Sequence, residues 1–280
     1  MSDDSSSFSI YLNIFLFIVA TFLFFWKLKH KPTIETLTTP ASPYKEYGIY
    51  FMVILFFQMV FNISIIRTKC GEGWQSQAGY VMLITFGSWI AIFGILIWVL
   101  ITFPIMKSPF SDVVGYYVVA NSANKLLAEM LVDTDINEKI NEAGEGVEEI
   151  KKQSMQSAAE AVIKMMGNVS ILINEIVPEN FTSYWNTLTP LIKPTLTQAD
   201  ISNKQEELLN LVVLRDNIGE ACWYIYTAVL LISIVGYKLA TIKCEVDPKV
   251  ANAKYDEYLD KQQNTEKEQA TANSTTYTLG

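Results

Sequence analysis

The sequence predicts an all-α, polytopic membrane protein with four transmembrane helices and a helical extramembrane domain between the third and the fourth. Half of the 280 residues are hydrophobic, and residues 8–26, 47–66 and 80–104 contain no Asp, Glu, Lys or Arg. A fourth window, residues 221–242, contains only Lys238. An apolar run of about 20 residues crosses the hydrocarbon core of a bilayer as a helix, because a helix satisfies its own backbone hydrogen bonds. These windows argue against a soluble cytoplasmic enzyme.

The four windows divide the chain into consecutive parts. Residues 1–7 are an N-terminal tail, residues 8–104 hold three helices with short loops, residues 105–220 form the extramembrane domain, and residues 243–280 form a polar C-terminal tail. The domain has nine basic and 17 acidic residues, so its net charge of −8 equals that of the whole chain. Because phosphate binding needs clustered Lys and Arg, we expect no nucleic acid partner.

The distribution of lysines predicts the orientation in the membrane. Lys27, Lys29, Lys31 and Lys45 crowd the first loop, whereas the N-terminal tail has no Lys or Arg. The positive-inside rule therefore places the first loop in the cytosol and the N-terminus on the outer or lumenal side. Four crossings then put residues 105–220 on the cytosolic side, and the second loop and the C-terminal tail on the other side.

The segments around the first three helices have simple interpretations. Pro32, Pro40 and Pro43 make the first loop an extended linker, and the short, Gly-bearing second loop makes the second and third helices an antiparallel hairpin. The apolar spacing predicts a juxtamembrane helix over residues 113–132 and a further long helix that ends before Pro178.

The long helical pattern before Pro178 has the a/d spacing of a coiled coil. A candidate protein-contact seam consists of Met155, Ala158, Val162, Met165, Val169, Leu172 and Ile176. Such a seam is typical of a helix packed against a neighbouring helix of the same chain. The alternative is a helix that forms an oligomer or docks onto another protein.

The last membrane segment is expected to continue an extramembrane helix. Thr197 is suited to cap a helix through Asp200, and the helical pattern continues from about Gln198 to Lys243. At 1.5 Å per residue this helix would be roughly 69 Å long and would project beyond the bilayer. It would therefore couple the membrane mechanically to the extramembrane domain.

The sequence offers no recognisable catalytic, cofactor-binding or metal-ligating residues. His30 is the only histidine, and Cys70, Cys222 and Cys244 form no CxxC pair, so we expect neither a disulfide framework nor a zinc site. The neutral polar side chains of the first three helices are interpreted as interhelical hydrogen-bonding groups rather than as an ion path. They are Asn13, Gln58, Asn62, Ser64 and Ser88. We therefore predict a protein that is not an enzyme and needs no cofactor.

A short motif follows the third apolar window. It reads Phe-Pro, Pro-Phe-Ser and Gly-Tyr, and its residues are Phe103, Pro104, Pro109, Phe110, Gly115 and Tyr116. It resembles a signature at the end of the third helix in membrane proteins of large cytoplasmic double-stranded DNA viruses, including algal viruses. We interpret it as a membrane-exit motif, in which the prolines break the helix, the phenylalanines lie at the interface, and the next helix turns along the membrane.

The resemblance implies a virion protein of the internal membrane beneath an icosahedral capsid, which assembles on the cytosolic face of a host-derived membrane. We therefore expect a non-enzymatic minor capsid or inner-membrane protein that anchors the capsid shell to the lipid bilayer. Its partners would be lipid and other capsid or membrane proteins, and a homo-oligomer is an open alternative. A membrane-remodelling, fusion or pore-forming viral protein is the competing interpretation.

Overall fold

The computed structural model describes residues 2–37, 44–131, 169–244 and 248–274. Within these ranges the chain is mainly helical and contains no β-strand. Four of the helices are long and apolar enough to cross a membrane. The predicted all-α fold with four candidate transmembrane helices is thus confirmed, whereas the extramembrane placement of the segment between the third and fourth stays a prediction.

The first three candidate spans are long helices with local π-helical turns. Their bounds are α1, Ser2–Leu23, continued by a π-helical turn at Phe24–Leu28; α2, Tyr44–Cys70; and α3, Gln75–Thr102, with a π-helical turn at Trp89–Gly94. Residues 29–37 are not helical, as the linker interpretation predicts.

Shorter elements connect α3 to the fourth span. A 3₁₀ turn at Pro104–Lys107 leads through Ser108–Phe110 and a π-helical turn at Ser111–Gly115 into α4, Tyr116–Met130. Two short helices follow, α5 at Val169–Glu175 and α6 at Phe181–Leu188. The fourth span is α7, Gln198–Thr241, and the tail contains α8, Pro248–Ser274.

The single long helix predicted at the fourth span is confirmed in α7, whose 44 residues extend about 66 Å. Its N-terminus carries the expected cap. The Thr197 hydroxyl accepts a hydrogen bond from the Asp200 amide at 3.2 Å, and the Asp200 carboxylate accepts one from the Thr197 amide at 3.1 Å. This reciprocal pairing satisfies backbone donors that the first turn of a helix leaves without partners.

The segment that leaves α3 runs antiparallel to α7. Lys107, at the start of this segment, contacts Asp216, and Glu129, near the end of the segment, contacts Lys204. The contacts therefore move towards the N-terminus of α7 as the segment proceeds. We call this pair, residues 108–130 with residues 198–219, the stalk. The segment therefore follows α7 after the exit motif, and the expected turn along the membrane surface stays a prediction.

Two large hydrophobic cores lie along α7, and a small third cluster of Ile66, Val81, Val235 and Leu239 lies near its C-terminal end. The stalk core combines α4, α5 and α6 with the first half of α7, and Val212 is completely buried in it. The bundle core is formed by the spans and is rich in aromatic rings. Its buried aromatic members are Phe17, Phe24, Tyr47, Tyr50, Trp89, Phe93 and Tyr224. Because one helix passes through both cores, the stalk and the bundle are joined by continuous, packed structure.

Hydrogen-bonded amide side chains connect the first three spans. Asn13 and Gln58 exchange two hydrogen bonds, of 3.0 and 2.7 Å, and Asn62 donates to the Thr85 hydroxyl at 2.9 Å. The prediction that these polar residues bond between helices is confirmed for all three, whereas Ser64 is exposed. Each of these buried amide side chains therefore has a hydrogen-bond partner.

The cysteine interpretation was wrong for one pair, because Cys70 and Cys244 form a disulfide. The end of α2 and the end of α7 lie together at the end of the bundle opposite the stalk. Lys69 strengthens this junction by donating hydrogen bonds to the carbonyl oxygens of Leu239 and Ile242, at 3.2 and 2.8 Å. The two cysteines are 174 residues apart in the sequence, and the packing of the bundle brings them together.

Candidate functional site: an ion cluster at the junction of stalk and bundle

Four charged side chains meet where the stalk joins the bundle. Lys29 follows the last turn of α1, Lys107 follows α3, and Asp216 and Glu220 lie one turn apart on α7. Their charges sum to zero. All four side chains are largely withdrawn from solvent, with exposed fractions of 14% for Lys29, 8% for Lys107 and Asp216, and 1% for Glu220. We call this group the ion cluster.

Glu220 is the centre of the ion cluster. Its Oε2 atom lies 2.9 Å from the ammonium nitrogen of Lys29 and 3.2 Å from that of Lys107. Its Oε1 atom accepts a hydrogen bond of 2.7 Å from the Tyr224 hydroxyl one turn later. Both carboxylate oxygens are therefore paired, which a buried charge requires if its desolvation is to be offset.

Lys29 joins the end of α1 to α7. Besides the contact with Glu220, its ammonium donates to the Asn217 side-chain oxygen at 2.7 Å. It also lies 4.9 Å from the ring centre of Phe25 and 5.5 Å from that of Tyr47, so two aromatic faces share its charge. The lysine that the positive-inside rule used as a topological signal thus makes specific contacts.

Lys107 joins the exit segment to α7. Its ammonium donates to Asp216 at 2.8 Å and faces Glu220. Burial alone would lower the pKa of Lys107, but the negative charges of Glu220 and Asp216 outweigh it and raise this pKa above its ordinary value. Lys107 is therefore fully protonated at physiological pH.

Below the ion cluster, aromatic rings fill the bundle. Tyr50 stacks on Phe24 with ring centres 4.3 Å apart, and Phe93 packs edge-on against Tyr224 and Trp89 at 5.4 and 5.3 Å. This packing separates the charges from the amide pairs nearer the other end. Among the described residues, no group of three or more His, Cys, Asp or Glu side chains is placed to hold a metal ion. The arrangement is suited to holding helices together.

The first half of the exit motif ends α3 as predicted. Phe103 is not helical, and Pro104 begins the next 3₁₀ turn. Half of the Phe103 side chain is exposed, and its ring packs edge-on against Trp98. Pro109 lies in the first turn of the short segment that follows.

The second half of the motif packs against α7. The Phe110 ring lies 5.0 Å from that of Trp223, whose indole nitrogen donates to the Met106 carbonyl at 2.9 Å. A Cβ atom on Gly115 would lie 2.5 Å from the Arg215 carbonyl oxygen, so only glycine fits there. Tyr116 is half-buried against the stalk core. The motif therefore positions the exit segment on α7 as well as ending α3.

The candidate contact seam is described only in its last part. Leu172 and Ile176 are fully buried in the stalk core, so they pack within the chain. Val169 begins α5. Met155, Ala158, Val162 and Met165 lie outside the described residues, and their role stays a prediction.

The sequence interpretation did not identify the ion cluster, because its members come from three separate parts of the chain. Two signals pointed towards it. Asp216 and Glu220 are four residues apart, so they share one face of a helix, and they directly precede an apolar span. Lys29 and Lys107 follow the first and third spans, whose ends the predicted topology places on the same side of the membrane as these carboxylates.

Comparison with known protein families, with curated proteins and with solved structures found no match to this chain.

Proposed function

We propose that this protein is a non-enzymatic structural protein of a virion, a minor capsid or inner-membrane protein that anchors the capsid shell to an internal lipid membrane. The observation that carries the proposal is α7. It passes unbroken from the stalk core through the ion cluster into the bundle core. A force applied to the stalk is thereby transmitted to the membrane-spanning helices without a flexible joint.

The exposed aromatic residues of the bundle support the proposal that it lies in a membrane. Trp26 and Trp98 are exposed near the ends of the spans beside the stalk, and Tyr11, Tyr80 and Tyr237 are exposed near the opposite ends. Aromatic belts of this kind are typical of the two interfaces of a bilayer. The part of α7 within the bundle, residues 221–241, is about 31 Å long, which matches the hydrocarbon thickness.

The disulfide supports the orientation that the lysines predict. Cys70 and Cys244 lie at the end that the positive-inside rule places away from the cytosol. Disulfides persist on that side of cellular membranes and are rare in the cytosol. The stalk would then face the cytosol, where a capsid shell assembles on a host-derived membrane. The viral-type exit motif supports this assignment to a virion.

Site-specific crosslinking in intact particles tests the proposal. A photoreactive residue replaces Lys125, whose side chain is 79% exposed on α4, and, as the matched control, Tyr258, which is exposed on α8 in the C-terminal tail. Position 125 should crosslink to capsid subunits, and position 258 should not, because the predicted topology puts it across the membrane. Absence of the protein from purified particles, or no capsid crosslink from position 125, would contradict the proposal.

A membrane-remodelling, fusion or pore-forming role is the alternative outcome. If the protein has such a role, liposomes that contain the purified protein would release a trapped dye or mix their lipids with those of other liposomes. The aromatic packing of Phe17, Trp89 and Phe93 inside the bundle argues against a pore through a single copy. We therefore expect intact liposomes.

A further inference from the structure

A cavity of about 390 Å³ lies beside the ion cluster. It is bounded by the linker that follows α1, the start of α2, the end of α3 with the turn after it, the loop before α6 and the stalk-side part of α7. Its volume falls within the range of about 300–1,000 Å³ that is usual for ligand sites. The polar side chains in its wall include Lys29, Lys107, Glu46, Glu179 and Asp216. The cavity therefore presents groups of both charges.

Two ammonium groups mark one side of the cavity. Lys29 and Lys107 both contact the same Glu220 oxygen, so their nitrogens are at most about 6 Å apart, a distance that one phosphate group can bridge. Each ammonium has three donors. Lys29 donates two hydrogen bonds, to Asn217 and Glu220, and Lys107 donates one to Asp216 while forming an ion pair with Glu220. Within the described part of the chain, these hydrogen bonds leave at least one donor on each ammonium for a ligand.

Carboxylates mark another part of the wall. The Glu46 Oε2 atom accepts a hydrogen bond of 2.7 Å from the His30 amide, and Glu179 is exposed at the opening. Because Asp216 and Glu220 already neutralise the two lysines, these further carboxylates make the cavity acidic overall. A purely anionic ligand would be repelled, whereas a ligand with a phosphate and an ammonium would find a partner for each charge.

The rest of the wall is apolar and lies at the membrane surface. The apolar lining residues are Pro32, Leu37, Ile101, Pro104, Pro178 and Val213. Lys29 directly follows the first span, Glu46 lies in the first turn of the second, and Ile101 lies at the end of the third. The exit segment, which follows the lining residues Pro104 and Lys107 in the chain, exposes Val113, Val114, Tyr117 and Val118. The cavity therefore lies at the depth at which lipid headgroups meet acyl chains.

We propose that the cavity binds the headgroup of a zwitterionic phospholipid that carries a primary ammonium, as in phosphatidylethanolamine. The phosphate contacts Lys29 and Lys107, and the ammonium contacts Glu46 and Glu179. A quaternary ammonium lacks the N–H donors for these carboxylates, and a glycerol headgroup lacks the positive charge. This inference is independent of the proposed role in a virion.

Native mass spectrometry of the full-length protein tests the proposal. Protein in detergent is mixed with equal amounts of phosphatidylethanolamine, phosphatidylcholine and phosphatidylglycerol of identical chains, and bound lipid is counted. Phosphatidylethanolamine should be retained in preference to both others. The variant Glu46→Gln/Glu179→Gln should reduce this preference about fivefold or more, the effect of losing a partly exposed charge pair. Glutamine at position 46 still accepts the His30 hydrogen bond, so the local fold is kept.

The control variant Glu206→Gln/Glu207→Gln removes the same charge from the exposed surface of the stalk and should leave the preference unchanged. Glycerophosphoethanolamine, which has the headgroup without acyl chains, distinguishes the lipid from a soluble ligand. The proposal is overturned if the three lipids bind equally, if the cavity variant keeps the full preference, or if the soluble compound binds while the lipid does not.

Discussion

Ser111 and Gly219 bring the backbones of the exit segment and α7 into direct contact. A Cβ atom on Gly219 would lie 2.6 Å from the Cβ atom of Ser111 and 2.7 Å from its backbone nitrogen. One turn away, Gly115 meets the Arg215 backbone in the same way. Ser111 and Gly115, two small residues spaced four apart on the exit segment, and Gly219 on α7 allow this approach, as small residues do between membrane helices. The contact lies beside the ion cluster and fixes the spacing of its elements.

The substitution Gly219→Ala should therefore destabilise the protein. The added methyl group collides with the backbone at Ser111, and overpacking of this kind costs about 1–3 kcal/mol. Gly87 in α3 is the matched control, because a Cβ atom there would meet nothing within 4 Å. Gly87→Ala should be neutral or stabilising by up to about 1 kcal/mol, since alanine has the higher helix propensity. Thermal unfolding in detergent measures both. Equal stability of the two variants would argue against the close contact.

Removing the charge at the centre of the ion cluster should be costly. Glu220→Gln leaves the ammonium groups of Lys29 and Lys107 buried without their shared carboxylate. Loss of one partner of a buried ion pair costs about 3–5 kcal/mol. Glu207→Gln, on the exposed surface of the same helix, should change the free energy of unfolding by less than about 0.5 kcal/mol.

A double variant separates the ion pairing from other effects of the Glu220 substitution. Adding Lys29→Met to Glu220→Gln should recover part of the lost stability, because it removes one of the unpaired charges. Chemical denaturation of the unmodified protein, the two single variants and the double variant gives the coupling energy between Lys29 and Glu220. Additive losses would mean that Lys29 and Glu220 do not interact in the folded protein.

The pKa of Lys107 gives a prediction about pH. Its pKa is raised above the ordinary value of 10.5, so its ion pairs stabilise the fold fully below pH 10.5, and this contribution is lost as the pH rises through the raised pKa. Stability should thus show no contribution from Lys107 titration between pH 7 and 10. In Lys107→Met, the loss of stability above pH 10.5 should be smaller than in the unmodified protein, as measured by unfolding at a series of pH values.

The sequence predicted the parts of the fold that depend on neighbouring residues. Apolar run length gave the spans, and Thr197 with Asp200 gave the start of α7, because each is a local pattern. The ion cluster and the Cys70–Cys244 disulfide depend instead on which helix ends meet in space. The packing of the exit segment on α7 depends on such contacts too. The signal was present in the small residues at Gly115 and Gly219, but their pairing becomes visible only when α4 and α7 are placed side by side.

The disulfide should lock α7 to the hairpin of α2 and α3. Cys70 and Cys244 enclose most of the chain, including α3 and the stalk, and a crosslink that closes a long loop stabilises a fold by about 2–4 kcal/mol. Cys70→Ser/Cys244→Ser should therefore lower the melting temperature. Cys222→Ser, which removes the free cysteine within α7, should not affect the crosslink. Lys69 should keep the two helix ends together in the serine variant, since its hydrogen bonds to the α7 carbonyls do not need the disulfide.

Protein isolated from membranes under alkylating conditions should run faster on a non-reducing gel than after reduction, because the crosslinked chain is more compact when denatured. The Cys222→Ser variant should show the same difference, and the double serine variant none. A free thiol at Cys70 or Cys244 in freshly isolated protein would mean that this end of the bundle faces a reducing compartment. The orientation predicted from the lysines of the first loop would then have to be reversed, and the stalk would lie on the side away from the cytosol.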